Sequence, residues 1–242
     1  VVYLGGSRLK AIVAKDISYT YPDGTVGIEK ISLQIEDGER VVLLGPNGSG
    51  KSTLIMLLSG LISPSTGDVE ILGYKPNKKN VEFLRRNIGV VFQNPDDFLF
   101  NPTVKEELLY TPAQLGIPFD EAIEIAEKFA KKFEIEGILE KPPFRLSGGE
   151  KKKISIVCSI MLEPRILFLD EPTANVDGKT RRKILGIIEK SKSTIITATH
   201  ELEIVPRIAE RIVLLGIDKK IKADGGLEIL ENEKLLEEAG VV

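Results

Sequence analysis

The chain has 242 residues and a mass of 26.6 kDa, with 42% hydrophobic and 29% charged side chains. That is enough apolar material for one sizeable core or two modest ones, and it excludes a disordered or collagen-like chain. Its 33 Lys and Arg against 36 Asp and Glu leave a formal net charge of −3, so no global positive field would hold it on nucleic acid or an anionic bilayer, and any such contact has to be local.

Residues 1–9 lack a basic segment followed by a long apolar run, so no signal peptide is expected there. Residues 12–21 and 26–35 are β-branched and aromatic runs separated by Pro22-Asp23-Gly24, with a second turn at Asp37-Gly38, and they predict antiparallel strands. Residues 41–44 predict a buried strand, followed by a Gly-rich loop and a helix over about 52–61. Another short strand is expected at 88–92. From there to Pro164 the pattern is mostly helical: Ala122, Ile123, Ala126, Phe129, Ala130 and Phe133 recur at three- and four-residue steps on one face. Alternation resumes with strand 166–169, helix 179–190 and strands 194–199 and 211–215, the order of a parallel sheet covered by helices. Residues 229–239 predict an acidic amphipathic helix. No apolar run approaches the roughly 20 residues of a membrane-spanning helix. The lone Cys158 cannot form an internal disulfide, no Cys/His cluster has metal-site spacing, and a reducing, cytosolic address is expected.

The expected fold class is α/β, with a mixed sheet core, an N-terminal antiparallel β subdomain and an inserted helical subdomain. Residues 10–93 and 164–225 are assigned to the α/β core, 94–163 to the helical part and 226–242 to a C-terminal helix, all in one compact chain of two lobes.

Gly45-Pro46-Asn47-Gly48-Ser49-Gly50-Lys51-Ser52 fits the phosphate-loop pattern G-x-x-x-x-G-K-[ST] and stands between a buried strand and a helix start, where the mechanism needs it. Its glycines let successive N–H groups point at phosphate oxygens, and the helix adds the positive end of its dipole. Asn47, Gly48, Ser49, Gly50, Lys51, Ser52 and Thr53 are the candidate nucleotide contacts. Lys51 can reach the β- and γ-phosphates, and Ser52 offers its hydroxyl to Mg²⁺. An accidental Lys-Ser after a Gly-rich turn is about a one-per-cent event at average composition.

Residues 166–169 form an apolar strand running into Asp170-Glu171, and strand ends are where an open α/β sheet places its ligand crevice. Asp170 would hold Mg²⁺, while Glu171 would orient or deprotonate the attacking water. His200, the only histidine, ends another strand and could hydrogen-bond the γ-phosphate and the water. Gln93, directly after the strand at 88–92, could reach Mg²⁺ or water through its amide oxygen. The run Lys151-Lys152-Lys153 reads as a solvated helical face, and Cys158 as a small packing residue.

Leu146-Ser147-Gly148-Gly149-Glu150, before the second-acid strand and after the helical insert, resembles the signature motif of ATP-binding-cassette (ABC) ATPases, which are P-loop NTPases. The rest of that family's pattern follows in order. It comprises an adenine-stacking aromatic at Tyr21, with Tyr19 the competing choice, then the phosphate loop, Gln93 of the Q-loop, Asp170-Glu171, Asn175-Val176-Asp177 as the D-loop, and His200 as the switch histidine. The likeness runs from about residue 12 to 215. It implies an ATP hydrolase with ATP and Mg²⁺ as its ligands, in which Ser147, Gly148 and Gly149 face the γ-phosphate held by another subunit and Asp177 lies at that interface. One chain then carries half of each site.

Gln93-Asn94-Pro95-Asp96-Asp97-Phe98-Leu99-Phe100, followed by Pro102-Thr103-Val104, resembles the Q-loop region of energy-coupling-factor (ECF) importer ATPases and their cobalt and nickel relatives. Phe98 stands where many members carry a second glutamine, and Glu150 replaces the commoner glutamine of the signature. This likeness implies a second ATPase subunit, identical or paralogous, and an integral membrane coupling subunit. It places the chain peripherally on the cytoplasmic face of the cell membrane, with no nucleic-acid partner. Asp96 and Asp97, beside apolar neighbours, would accept a basic coupling helix. Another ABC transporter class is the alternative. A soluble, non-transport ABC ATPase fits less well, because neither a long coiled coil nor a second cassette is present.

Overall fold

The computed structural model describes residues 3–4 and 7–242, so part of the N-terminal stretch read above as lacking a leader lies outside the described residues. A short antiparallel pair, β1 (Tyr3–Leu4) and β2 (Ser7–Arg8), comes first. β3 (Lys10–Thr20) and β4 (Val26–Glu36) then pair antiparallel across the expected turn, where Gly24 takes φ +87° and the Asp23 carboxylate accepts from Thr25 N–H at 2.9 Å. After β5 (Arg40–Leu44) and α1 (Lys51–Leu58), β6 (Thr66–Ile71) adds to the other side of β3, giving a three-stranded sheet in the order β4-β3-β6. β6 was not expected: Thr-Gly-Asp at its start looks like a turn, and only its second half alternates.

The second sheet is built from β5, β7 (Ile88–Val91), β8 (Ile166–Asp170), β9 (Thr194–Thr199), β10 (Arg211–Leu215) and β11 (Ile221–Gly225), in the order β11-β10-β5-β9-β8-β7. Its neighbours are parallel except the β10-β11 hairpin. β8 and β9 are buried at every residue, as strands covered on both faces must be. Their alternation divides the core. Val41, Leu43, Ile166, Phe168, Ile196 and Val213 face α1 and the three-stranded sheet. Val42, Leu44, Leu167, Leu169, Ile195 and Leu214 instead face α6 (Gly178–Lys190), α7 (Val205–Ile208) and α8 (Glu233–Ala239).

Between β7 and β8 lie α3 (Val104–Gln114), α4 (Phe119–Phe133) and α5 (Gly148–Ile160), packed around a third cluster that includes Val104, Leu108, Phe129, Phe133, Ile154 and Val157. The predicted face of α4 is the buried one at Ala122, Ala126, Phe129, Ala130 and Phe133, with Ile123 half-buried. Before β7, α2 (Val81–Asn87) was not foreseen.

Two predicted helices end up shorter. α1 stops at Leu58 because Gly60, at φ +74°, turns the chain away. In the C-terminal segment a 3₁₀ turn over Leu227–Glu231 precedes Asn232, whose side chain accepts from Leu235 N–H at 3.1 Å and so starts α8. No described helix is long and apolar enough to cross a membrane.

Candidate active site

β5, β8 and β9 end side by side, and this register sets the loop after β5 beside Asp170 and Glu171 after β8 and His200 after β9. The result is a cleft of about 200 Å³ lined by Tyr21, Gly27, Asn47, Gly48, Gly50, Lys51, Ser52, Thr53, Gln93, Asp170, Glu171 and Lys219, among others.

The loop can take its shape only with glycine at the crowded positions. Gly50 has φ +96°, and a Cβ there would sit 2.4 Å from the Gly27 carbonyl oxygen. Lys51 is 6% exposed and its ammonium donates to the carbonyls of Gly45 at 2.8 Å and Pro46 at 3.0 Å, with Glu171 Oε1 at 3.9 Å. Burial pushes its pKa down, against the pull of Glu171 and Asp170. The lysine is thus folded onto its own loop, where its hydrogen bonds can be exchanged for those of an anion. Tyr21 lies in the cleft with its hydroxyl 2.8 Å from Thr53 Oγ1, whereas Tyr19 meets its ring edge-on and packs against the core. Of the two aromatic candidates, only Tyr21 lines the cleft.

Glu171 is 2% exposed, in a left-handed conformation (φ 45°) that turns its side chain in at the strand end. His200 Nδ1 lies 2.8 Å from its Oε1, and the Thr199 hydroxyl donates to its Oε2 at 3.1 Å. A carboxylate fixed on both oxygens and facing a lysine is placed to accept a proton from water in the cleft. Asp170 is also buried. Burial raises its pKa, a hydrogen bond from Ser52 opposes this, and Glu171 adds to the rise. Its Oδ1 has no hydrogen-bond partner among the described residues. An orphaned buried carboxylate oxygen beside a hydroxyl is the hard oxygen set that Mg²⁺ takes, so these residues fit that ion.

Ser147, Gly148, Gly149 and Asp177 do not line this cleft. They form a separate patch of their own. Ser147 caps α5 in a reciprocal capping box: its hydroxyl accepts from Glu150 N–H at 3.3 Å and donates to Glu150 Oε2 at 2.8 Å. The Ser147 amide and hydroxyl hold the Glu150 carboxyl below its usual range. Asp177 caps α6 through Lys179 N–H and Thr180 N–H, and the Thr180 hydroxyl and amide hold its pKa down to about 2. The two motifs touch, since a Cβ on Gly149 would come within 3.5 Å of Asp177 Oδ2. The starts of the two helices therefore lie side by side.

The solvated-face expectation for Lys151-Lys152-Lys153 fails at its centre. Lys152 is buried, and its ammonium donates to the carbonyls of Phe92 at 3.1 Å and Gln93 at 2.7 Å. Burial pushes its pKa down to about 8, against the pull of Asp170 and Glu171. Lys152, Ser155 and Ser159 share one helical face towards β7, a spacing legible within the sequence. Thr199 and Lys219 were also missed. Lys219 sits in the turn before β11, a polar strand with no hydrophobic signal of its own. Cys158 is half-buried, 3.8 Å from the Glu107 carbonyl, with its thiol pushed up by burial.

Asp96 forms an ion pair with Lys151, and Asp97 accepts from the Asn94 amide at 3.1 Å. Next to them Phe98 stacks on Phe92 with ring centroids 3.8 Å apart, and exposed Phe100 meets exposed Tyr110 edge-on.

A putative ABC transporter ATP-binding protein of Archaeoglobus fulgidus is 55% identical over 98% of this chain and the whole of that protein. Methanothermobacter thermautotrophicus has an energy-coupling factor transporter ATP-binding protein, EcfA, that is 39% identical over 95% of this chain and 76% of its own length. Among solved structures, cbiO1 of Clostridium perfringens, part of the ABC transporter complex cbiONQ, superposes with a TM-score of 0.78 at 31% identity, covering 95% of this chain and 93% of that one. The dimeric cassette MJ0796 bound to ADP and Pi gives 0.81 at 27% identity, covering 89% and 98%. The family profile described as ABC transporter spans residues 28–174, from β4 through the phosphate loop and signature to the strand-end acids. With profile, relatives and fold in agreement, the chain belongs to the ABC transporter ATPases and is an ATP hydrolase of that family.

Proposed function

We propose that this chain is the ATP-hydrolysing subunit of an ECF-type importer for a vitamin or a transition-metal ion, driving transport by ATP-dependent closure of a dimer. The observation that carries the closure is the separation of two surfaces: the cleft holds the phosphate loop and acids, while the signature and D-loop patch lies outside it. ATP held in the cleft of one subunit completes its site with Ser147, Gly148, Gly149 and Asp177 of a second, identical or paralogous subunit. Binding then favours the closed dimer, and phosphate loss reopens it.

Within the cleft, Lys51 exchanges its loop carbonyls for β- and γ-phosphate oxygens, Asn47 to Thr53 supply amides and hydroxyls, and Tyr21 stacks on adenine. Ser52, Asp170 and Gln93 would hold Mg²⁺, which when bound neutralises charge building on the phosphates. Glu171 takes the proton of the attacking water while Thr199 and His200 hold the carboxylate in place. The division into an α/β core and a helical part at 94–163 belongs to this reading, the helical part carrying the signature.

Identity to proteins named EcfA and likeness to cbiO1 support the importer class. The exposed aromatic surface at Phe98, Phe100 and Tyr110, with Asp97 beside it, suits a membrane partner's coupling helix and a peripheral position on the cytoplasmic membrane face. Because Asp96 is already paired with Lys151, Asp97 is the acid better placed to meet a basic partner. Affinity capture of the tagged chain from detergent-solubilised membranes tests this. An integral membrane subunit should be recovered with it, and recovery of only ribosomal or DNA-repair proteins would overturn the importer reading.

A further inference from the structure

We propose that Lys152 is a positioning residue for Gln93, clamping the Q-loop backbone to the signature helix so that the two travel together. Three ties connect α5 to β7 and the loop after it. The Ser159 hydroxyl donates to the Val90 carbonyl at 2.8 Å. Lys152 spans the Phe92 and Gln93 carbonyls at 3.1 and 2.7 Å. Lys151 pairs with Asp96 at the loop's far side. The exposed Lys151 pair is worth little, since water and salt screen it. The Lys152 clamp is different in kind: a buried ammonium satisfies two loop carbonyls through part-buried hydrogen bonds, and its removal takes from both the one charged donor that holds them to α5.

Gln93 itself is exposed and lines the cleft, and no described hydrogen bond holds its side chain. What fixes its direction is therefore its backbone, and Lys152 is the group that grips that backbone. The same helix is capped by Ser147, less than two turns from Lys152. Of the three ties, Lys152 is the one that hands a displacement of the signature helix directly to the Gln93 backbone.

This inference rests on the role given to Gln93 above, and a double-mutant cycle separates the two. ATP turnover is measured against ATP and against Mg²⁺ for the unsubstituted chain, for Lys152→Met, for Gln93→Ala and for the double variant. Lys152→Met should lower kcat about tenfold, move the KM for ATP less than about threefold, and raise the Mg²⁺ concentration needed for half-maximal rate. In the Gln93→Ala background the same change should cost less than about twofold, because the group it positions is gone. Lys152→Gln, whose amide can still donate to one carbonyl, should recover part of the rate, and it carries the comparison if Lys152→Met does not fold. Full multiplication of the two single losses would overturn the clamp while leaving Gln93 in its role. Wild-type turnover by Gln93→Ala would overturn the role of Gln93 and the clamp with it.

Discussion

Glu171 shows how one side chain's setting determines its use. Acid-strand-end patterns are common, but here the carboxylate is almost fully enclosed, fixed by Thr199 and His200, and faces Lys51. Glu171→Gln keeps the shape and loses the base, so steady-state ATP turnover should fall by about a hundredfold or more while nucleotide binding persists. Glu150 is a second informative position. Its carboxylate occupies the Ser147 hydroxyl and sets a negative charge beside the surface proposed to meet the γ-phosphate. Glu150→Gln preserves the capping geometry without the charge, so the ATP concentration for half-maximal dimerisation should drop about threefold. Most residues that line the cleft were legible in the sequence, because the phosphate-loop and strand-end acid motifs encode backbone shape as well as side chains. Lys152 was hidden in a charge run whose neighbours are less buried, and Lys219 by the weak pattern of the strand that follows it.

At the scale of elements, apolar content explains what was readable. β8 and β9 are buried at every position and announce themselves as unbroken apolar or β-branched runs, and β10 is buried throughout after Arg211. β6 and β11 are edge strands of mixed polarity, and their pairing partners, rather than their own residues, define them. The interior strands also concentrate stability. Phe168 is 0% exposed among Ile, Leu and Val side chains beneath α1. Phe168→Ala should therefore cost about 3–5 kcal/mol in denaturant unfolding, near the upper range for a core truncation. Because Asp170 and Glu171 continue the same strand, that variant should lose nucleotide affinity as well as stability.

For the whole molecule, one chain presents a cleft and a signature patch that do not meet, so its proposed cycle is a property of the pair. In size-exclusion chromatography Glu171→Gln should elute as a dimer with ATP and as a monomer without it; a monomer under both conditions would sink the closure mechanism. The six-stranded sheet adds a mechanical consequence. Among the described residues β7 is an edge strand paired with β8 alone, through four residue pairs, whereas β8 and β9 are paired on both sides. The acids and His200 are thus mounted on the chassis, and Gln93 on its fender. In the proposed cycle a displacement of α5 would be passed to β7 through the Ser159–Val90 bond and would load one strand ladder, while the acids and His200 stay on strands paired from both sides.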